Sequence, residues 1–221
     1  MDFQLSGWNF SKFIEEQVSP FEKLFNIFKE LIVHTSGDFD EAIEAKQSMA
    51  RKYGYKELNQ FNNPLNIEWH ETTTAEEIID SFELCDKDIS AFILGTGTGG
   101  TLMGIEQGCK DWNLNSKIVA VEPLESPVMS GGEKGLHGIQ GIGDGSKFLV
   151  DLDKVDEIIT ISTKEAKERS LRLAKENGLF VGISAGANVL ASERWIEQNN
   201  PDGLVVTILC DRGERYFSCY E

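Results

Sequence analysis

The chain has 221 residues, with 37 acidic against 21 basic side chains, a formal net charge of −16 and 40% hydrophobic residues. This is the composition of a globular protein of one large domain or two small ones, and the recurring apolar runs exclude a disordered chain. The acidic balance excludes nucleic acid as a partner, because a phosphate backbone needs a basic face, and the apolar runs are too short for a membrane-spanning helix.

Taken in chain order, residues 1–18 specify little: Phe3, Trp8, Phe10 and Phe13 are aromatic without a clear period. Residues 21–29 predict a helix after Pro20, and 30–35 predict a strand. Phe39–Tyr53 predicts a helix, with Ala42, Ile43, Met49 and Ala50 near one face. Residues 55–61 predict a short strand before an Asn62-Asn63-Pro64 turn. Thr74-Ala75-Glu76-Glu77 has capping-box spacing and predicts a helix over 75–84. Residues 89–94 are apolar and β-branched, which predicts a buried strand. A glycine-rich turn and another helix follow. Strands are predicted at 117–122, 155–161, 179–181 and 204–210, with a long glycine-bearing loop over 123–147. Ser162-Thr163-Lys164-Glu165 is a second capping box, opening a helix that ends at Asn177 with Gly178 as its cap. A further helix runs to about Gln198. Strands alternating with helices predict an α/β fold, a mostly parallel sheet with helices on both faces.

Four stretches carry candidate chemistry. Gly95, Thr96, Gly97, Thr98, Gly99, Gly100 and Thr101 join a strand to a helix, so backbone N–H groups converge where a phosphate can bind. The string lacks the Gly-Lys-Ser/Thr of a P-loop and the spacing of a dinucleotide fingerprint. Taken alone, it also fits a tight turn packing a helix on a sheet. Ser184, in Gly182-Ile183-Ser184-Ala185-Gly186-Ala187, stands at a strand's carboxyl end, where open α/β sheets bind ligands. An ordinary helix cap fits that string as well. Gly138-Ile139-Gln140-Gly141-Ile142-Gly143-Asp144-Gly145 is a flexible loop able to close on a ligand, or a plain surface loop. Asp211-Arg212-Gly213-Glu214-Arg215-Tyr216 follows the last strand. Cys85, Cys109, Cys210 and Cys219 form no Cys-x-x-Cys pair, and the histidines are His34, His70 and His137, so no metal site is predicted. Scattered thiols, and a start at Met1-Asp2-Phe3-Gln4 without signal character, predict a reduced, cytoplasmic protein.

Together and in this order, these stretches resemble cysteine synthase (O-acetylserine sulfhydrylase), a fold-type II pyridoxal-phosphate enzyme with a tryptophan synthase β-like fold. Ser126-Pro127-Val128-Met129-Ser130-Gly131-Gly132 and Gln60-Phe61-Asn62-Asn63-Pro64 are similar to two further family segments. The resemblance covers about residues 19–218. It implies pyridoxal 5'-phosphate as cofactor, with residues 95–101 around its phosphate and Ser184 facing its pyridine nitrogen. It implies that Gly141, Ile142, Gly143 and Asp144 form a substrate-closing loop, with Asp144 where the family has a small residue. It also implies a small-molecule amino-acid substrate, β-replacement of O-acetylserine by sulfide, and assembly as a homodimer or with a complementing chain. The domains expected from it are a remnant of the small N-terminal domain over 19–60 and a large phosphate-holding domain over 61–221.

Two family features have no counterpart here, so an N-terminally shortened form is expected. The Schiff-base lysine stands in a Ser-x-Lys-Asp-Arg context; Asp-Arg occurs only at 211–212, with no lysine before it, and Ser11-Lys12 is followed by Phe13. The Thr-Ser-Gly-Asn-Thr-Gly substrate loop is also missing. No catalytic lysine is therefore assigned, covalent attachment of the cofactor is not expected, and the alternatives are a non-catalytic phosphate-binding module or one piece of a split enzyme.

Overall fold

The computed structural model describes residues 4–5, 8–9, 39–54, 58–83 and 87–220. Its contacts divide the chain into two units, Met1–Leu58 with Glu221, and Asn59–Tyr220. The elements predicted at 21–29 and 30–35 lie outside the described residues. In the first unit, β1 (Gln4–Leu5) and β2 (Trp8–Asn9) pair antiparallel, so a stretch without sequence periodicity still holds a short ladder. Helix α1 (Phe39–Tyr53) has the predicted bounds; Gly54, at φ 71°, ends it in the left-handed conformation and returns its N–H to the Ala50 carbonyl at 2.9 Å.

The second unit opens with α2 (Leu65–His70), a π-helical turn (Glu71–Ala75) and α3 (Glu76–Glu83), one uninterrupted helical run. This corrects two expectations. Of the strand expected at 55–61, residues 58–61 are irregular chain and turn while 55–57 lie outside the described residues, and Thr74 is inside a helix rather than capping one. The effective start is Asn63-Pro64: the Asn63 side chain accepts from Leu65 N at 3.1 Å, and proline supplies a helical φ of −62°. The threonine hydroxyls find partners within the run. Thr72 donates to the Glu68 carbonyl at 2.9 Å and Thr73 to the Trp69 carbonyl at 2.6 Å, so neither competes for the backbone as a cap would.

Among the described residues, four parallel strands, β3 (Ile89–Gly95), β4 (Lys117–Pro123), β5 (Glu157–Ile161) and β6 (Leu204–Val206), form a sheet in the order β5–β4–β3–β6. Between them run α4 (Gly100–Asp111), α5 (Thr163–Asn177) and α6 (Ile183–Asn199). Alternation along β3 and β4 sorts their side chains to two faces. Phe92, Leu94, Ile118 and Ala120 join Ile79, Leu102 and Ile105 of α3 and α4. Ala91, Ile93, Val119 and Val121 join Ala166, Ile183, Ala187, Ala191 and Trp195 of α5 and α6. Each large side chain buried this way contributes about 1.5–3 kcal/mol, which is why both faces of a parallel sheet read as apolar.

Close approach on the first face depends on glycines one turn apart in α4. A Cβ at Gly104 would stand 2.5 Å from His70 Cβ, and one at Gly108 would stand 2.6 Å from Ala75 Cβ. The predicted capping box of α5 is present in full: Ser162 accepts from Glu165 N, and Glu165 accepts from Ser162 N at 3.1 Å. Gly178 closes the helix at φ 70°. Two predicted strands are shorter than expected. Residues 179–181 contribute a single bridge, Val181 to Arg212, and β6 stops at Val206 instead of reaching Cys210. Side chains that intercept the ladder end β6, as described below. Among the described residues, no helix is long and apolar enough to cross a membrane.

Candidate cofactor site

The carboxyl ends of β3 and β6 open into a cavity of about 320 Å³. One wall is the turn from β3 to α4: Gly95, Thr96, Gly97, Thr98, Gly99, Thr101 and Leu102. A second wall is Ser184 in the first turn of α6, and a third is Cys210, Asp211 and Tyr216. Gln140, Gly141 and Ile142 close the remaining side.

The turn is shaped by its glycines. Gly99 caps α4 in the left-handed conformation, φ 86°, and a Cβ there would stand 2.6 Å from Val150. A Cβ at Gly97 would stand 2.6 Å from the Gly141 carbonyl, so the two loops lie backbone against backbone. Gly143 N donates to the Thr96 carbonyl at 3.0 Å and Leu149 N to the Thr98 carbonyl at 3.0 Å. Thr98 Oγ1 accepts from Gly100 N at 3.2 Å and from Asn66 Nδ2 at 3.1 Å. First-turn amides of an α-helix have no intrahelical acceptor, and those of Thr101 and Leu102 belong to residues that line the cavity. The N-terminus of α4 has no side-chain cap and no acidic residue in its first turn. An anion fits there on the dipole and the amides alone. The lining holds no lysine or arginine.

Behind this wall, Thr101 Oγ1 stands 3.3 Å from His70 Nε2, while His70 Nδ1 is 2.8 Å from Thr74 Oγ1. Burial pushes the His70 pKa down, which keeps the ring neutral. Glu122, at the end of β4 and 2% exposed, accepts from Met129 N at 2.8 Å, Ser130 N at 2.9 Å and Ser130 Oγ at 2.5 Å. That clamp fixes the Ser126–Gly132 segment and sets the Met129 sulfur 3.6 Å from the Thr96 hydroxyl that donates to it.

Opposite the turn, Tyr216 donates to Asp211 Oδ2. Burial, and then the Asp211 carboxylate, push the Tyr216 phenol well above its ordinary range. Ser184 is 3% exposed. Burial raises the pKa of the Cys210 thiol, on the adjoining wall, above the ordinary value.

The residues singled out from sequence are brought together unevenly. Gly95, Thr96, Gly97, Thr98, Gly99, Thr101 and Ser184 line the cavity, as do Gly141 and Ile142. Gly100 does not: it is turned onto the Asn66 side chain, which leaves no room for a Cβ. Gly143 packs on Pro123, behind the lining. Asp144 is also behind it, with Oδ2 3.8 Å from where a Gly97 Cβ would stand. Burial raises the Asp144 pKa and His137 works against that rise. Asn188 and Cys210 lie outside every candidate stretch read from the sequence. Asn188 is one helical turn beyond Ser184 on the same face of α6, and that spacing was the available signal.

A fold of this topology, with an anion-fitting strand–helix turn facing a serine across the sheet's carboxyl edge, defines a class. The profile of the family "Pyridoxal-phosphate dependent enzyme" matches residues 19–211, and the chain belongs to that family. Within it, the similarity runs to cysteine synthases and their kin, as the sequence resemblance implied. A cysteine synthase of Staphylococcus aureus is 43% identical over 180 residues, 80% of this chain and 57% of the relative. Among solved structures, O-acetylserine sulfhydrylase isoform 3 of Entamoeba histolytica is 36% identical, with a TM-score of 0.74 over 81% of this chain and 53% of that one. A hydrogen sulfide-producing enzyme of Fusobacterium nucleatum is 35% identical, with a TM-score of 0.74 over 80% and 53%. The O-acetylserine dependent cystathionine beta-synthase of Helicobacter pylori is 30% identical, with a TM-score of 0.73 over 92% and 67%. The chain thus spans 57% of the length of the curated relatives it matches.

Proposed function

We propose that this chain holds pyridoxal 5'-phosphate reversibly in the cavity, as the cofactor-binding part of a cysteine synthase-type enzyme. Gly97, Thr98, Gly99 and Thr101 take the phosphate through the α4 N-terminus and the threonine hydroxyls. Ser184 takes the ring nitrogen with a neutral hydroxyl. When bound, the cofactor supplies an electron sink for an amino-acid substrate. A neutral hydroxyl partner leaves that sink weaker than a carboxylate partner would, which suits β-replacement of O-acetylserine by sulfide. Gly141 and Ile142 exclude water from one side.

The observation that carries this reading is the pairing of an uncapped helix N-terminus with a buried serine in one cavity whose lining contains no lysine. Covalent attachment needs an amine of lowered pKa beside the aldehyde. We infer that this amine comes from a complementing chain of different sequence, and that turnover by this chain alone does not occur. The lysine-free lining equally favours a second reading, a non-catalytic phosphate-binding module.

Titration with inorganic phosphate and with pyridoxal phosphate, followed through the amides of residues 97–101, tests the binding. Shifts in those amides are expected with both ligands, and their absence at millimolar ligand overturns the reading. An absorbance scan, borohydride reduction and peptide mapping test attachment. The expected result is no stoichiometric label, and O-acetylserine turnover no faster than with free cofactor. One lysine labelled stoichiometrically refutes the attachment claim.

A further inference from the structure

At the open end of the sheet, β3 and the segment after β6 stop pairing while still side by side. Their parallel register sets Phe92 opposite Val206. Carried two residues further, it would set Leu94 opposite Ile208, with Gly95 N–H donating to the Ile208 carbonyl. That bond is replaced. The Asn188 amide stands between the two groups, with Oδ1 accepting from Gly95 N at 2.8 Å and Nδ2 donating to the Ile208 carbonyl at 2.9 Å. The Ile93 carbonyl is intercepted as well, by the Thr207 hydroxyl at 2.6 Å. These two side chains are why β6 is three residues long rather than seven.

Asn188 is 1% exposed, among alanines of α6. Burying an amide at a position that packing alone would give to an apolar residue is unfavourable unless its groups are paired, and here both ends are. Its Nδ2 also stands 3.8 Å from Cys210 Sγ, and Cys210 and Ser184 both line the cavity. One line of contacts therefore runs from Gly95, at the head of the anion turn, through Asn188 to Cys210 on the opposing wall, which Ser184 also lines.

We propose that Asn188 is a positioning residue of the cavity: standing in for a ladder hydrogen bond, it holds the ends of β3 and segment 207–210 apart and sets the span between the anion turn and the Ser184–Cys210 wall. The inference rests on reading the cavity as a pyridoxal phosphate site, and it adds the residue that sizes that site. A ligand carrying both a phosphate and a ring must meet both walls. Inorganic phosphate meets only one. Asn188 therefore governs affinity for the larger ligand and leaves the smaller one alone.

The test uses the full chain as wild type, Asn188→Ala and Asn188→Leu, each titrated with inorganic phosphate and with pyridoxal phosphate. In Asn188→Ala the dissociation constant for pyridoxal phosphate rises about tenfold, the size of a lost hydrogen-bonded positioning contact, while that for phosphate stays within about twofold. Asn188→Leu keeps bulk between the strands without the bonds, so its ratio falls between alanine and wild type. Equal weakening of both ligands, or no change in the ratio, overturns the inference. A wild-type measurement needs no variant: the Gly95 amide is protected from hydrogen exchange, and its protection rises with pyridoxal phosphate but not with inorganic phosphate. An unprotected Gly95 amide, or one that responds equally to both, also overturns it. A wild-type chain that binds neither ligand removes the site reading first and this inference with it.

Discussion

Two helices begin at the same cavity, and their N-termini meet different surroundings. Each carries the partial positive charge of its dipole to that end. The end of α4, a helix of 12 residues, has a left-handed glycine before it and no side-chain cap. The end of α6, a helix of 17 residues, also lacks a side-chain cap of its own. Yet the Asp211 carboxylate lies against its N-cap, Gly182, closely enough to leave no room for a Cβ, and Gly182 N donates to the Asp211 carbonyl at 3.1 Å. One end has a carboxylate of its own chain lying against it, although Asp211 Oδ1 accepts no hydrogen bond there, and the other is left to a ligand. A third N-terminus, that of α5, is closed locally by Ser162 and Glu165. The same piece of physics is thus answered three ways, and only the α4 answer leaves a site.

The largest effect is expected from breaking the open end. Gly99→Val places a β-branched side chain at φ 86° and against Val150. A loss of about 2–4 kcal/mol in denaturant unfolding and loss of phosphate binding are expected. Gly182 has an ordinary φ of −71°. Gly182→Ala displaces the Asp211 carboxylate and presses on the Tyr216 ring, with a smaller loss of about 1–2 kcal/mol and phosphate binding retained. Comparable losses of phosphate binding in both would erase the distinction.

A middle-sized effect tests the occupied end. Asp211→Asn removes a negative charge from the cavity lining, so phosphate binds about 3–10-fold tighter at low salt, with the gain shrinking as salt screens it. In the same variant the Tyr216 phenol, no longer beside a carboxylate, titrates closer to its ordinary value of 10.0. Ultraviolet titration reads the second change, and an unmoved phenol would show that burial alone sets it.

A smaller effect concerns Asp144. Its folded-state pKa is raised by burial above the ordinary 3.8. The native state therefore holds the proton more tightly than the unfolded state does, and stability falls as pH rises from the ordinary value through the raised one. Asp144→Asn flattens that slope, leaving stability nearly unchanged at the acid end and higher above it. Because Asp144 faces Gly97, wild-type phosphate affinity also weakens across the same interval, and the variant's does not.

The smallest effect belongs to the locally closed end. The Ser162 hydroxyl and Arg194 hold Glu165 at a pKa of about 2, down from 4.5. Its stabilising contribution is present above 4.5 and lost as pH falls toward 2. The side chain is 38% exposed, so solvent screening limits the contribution. Glu165→Gln should lose a few tenths of a kcal/mol to about 1 at neutral pH, show a flatter acid limb, and bind phosphate unchanged.

Several elements were legible in advance because their signals are local. The α5 capping box, its Gly178 terminator, α1, and the buried β3 and β4 all follow from residues a few positions apart. Thr74-Ala75-Glu76-Glu77 misled for the converse reason. The same four residue types sit inside a helix once Asn63-Pro64 has started it and the threonine hydroxyls have bonded backwards. The β6 run, apolar to residue 210, read as a full strand because nothing in it announces Asn188.

By itself, the sequence determined the α/β alternation, the strand–glycine–helix turn at residues 95–101 and the helix that begins just before Ser184. These depend on periodicity and on chain conformations that only glycine adopts without strain. Tertiary structure decided which helix end stays open, that Gly100 turns to Asn66 while its neighbours line the cavity, and that Asn188 holds the strand ends apart. Each of those outcomes pairs a donor with an acceptor, or a dipole with a charge, from residues far apart in the chain. Such pairings follow from where the folded backbone brings them, and no local pattern encodes that.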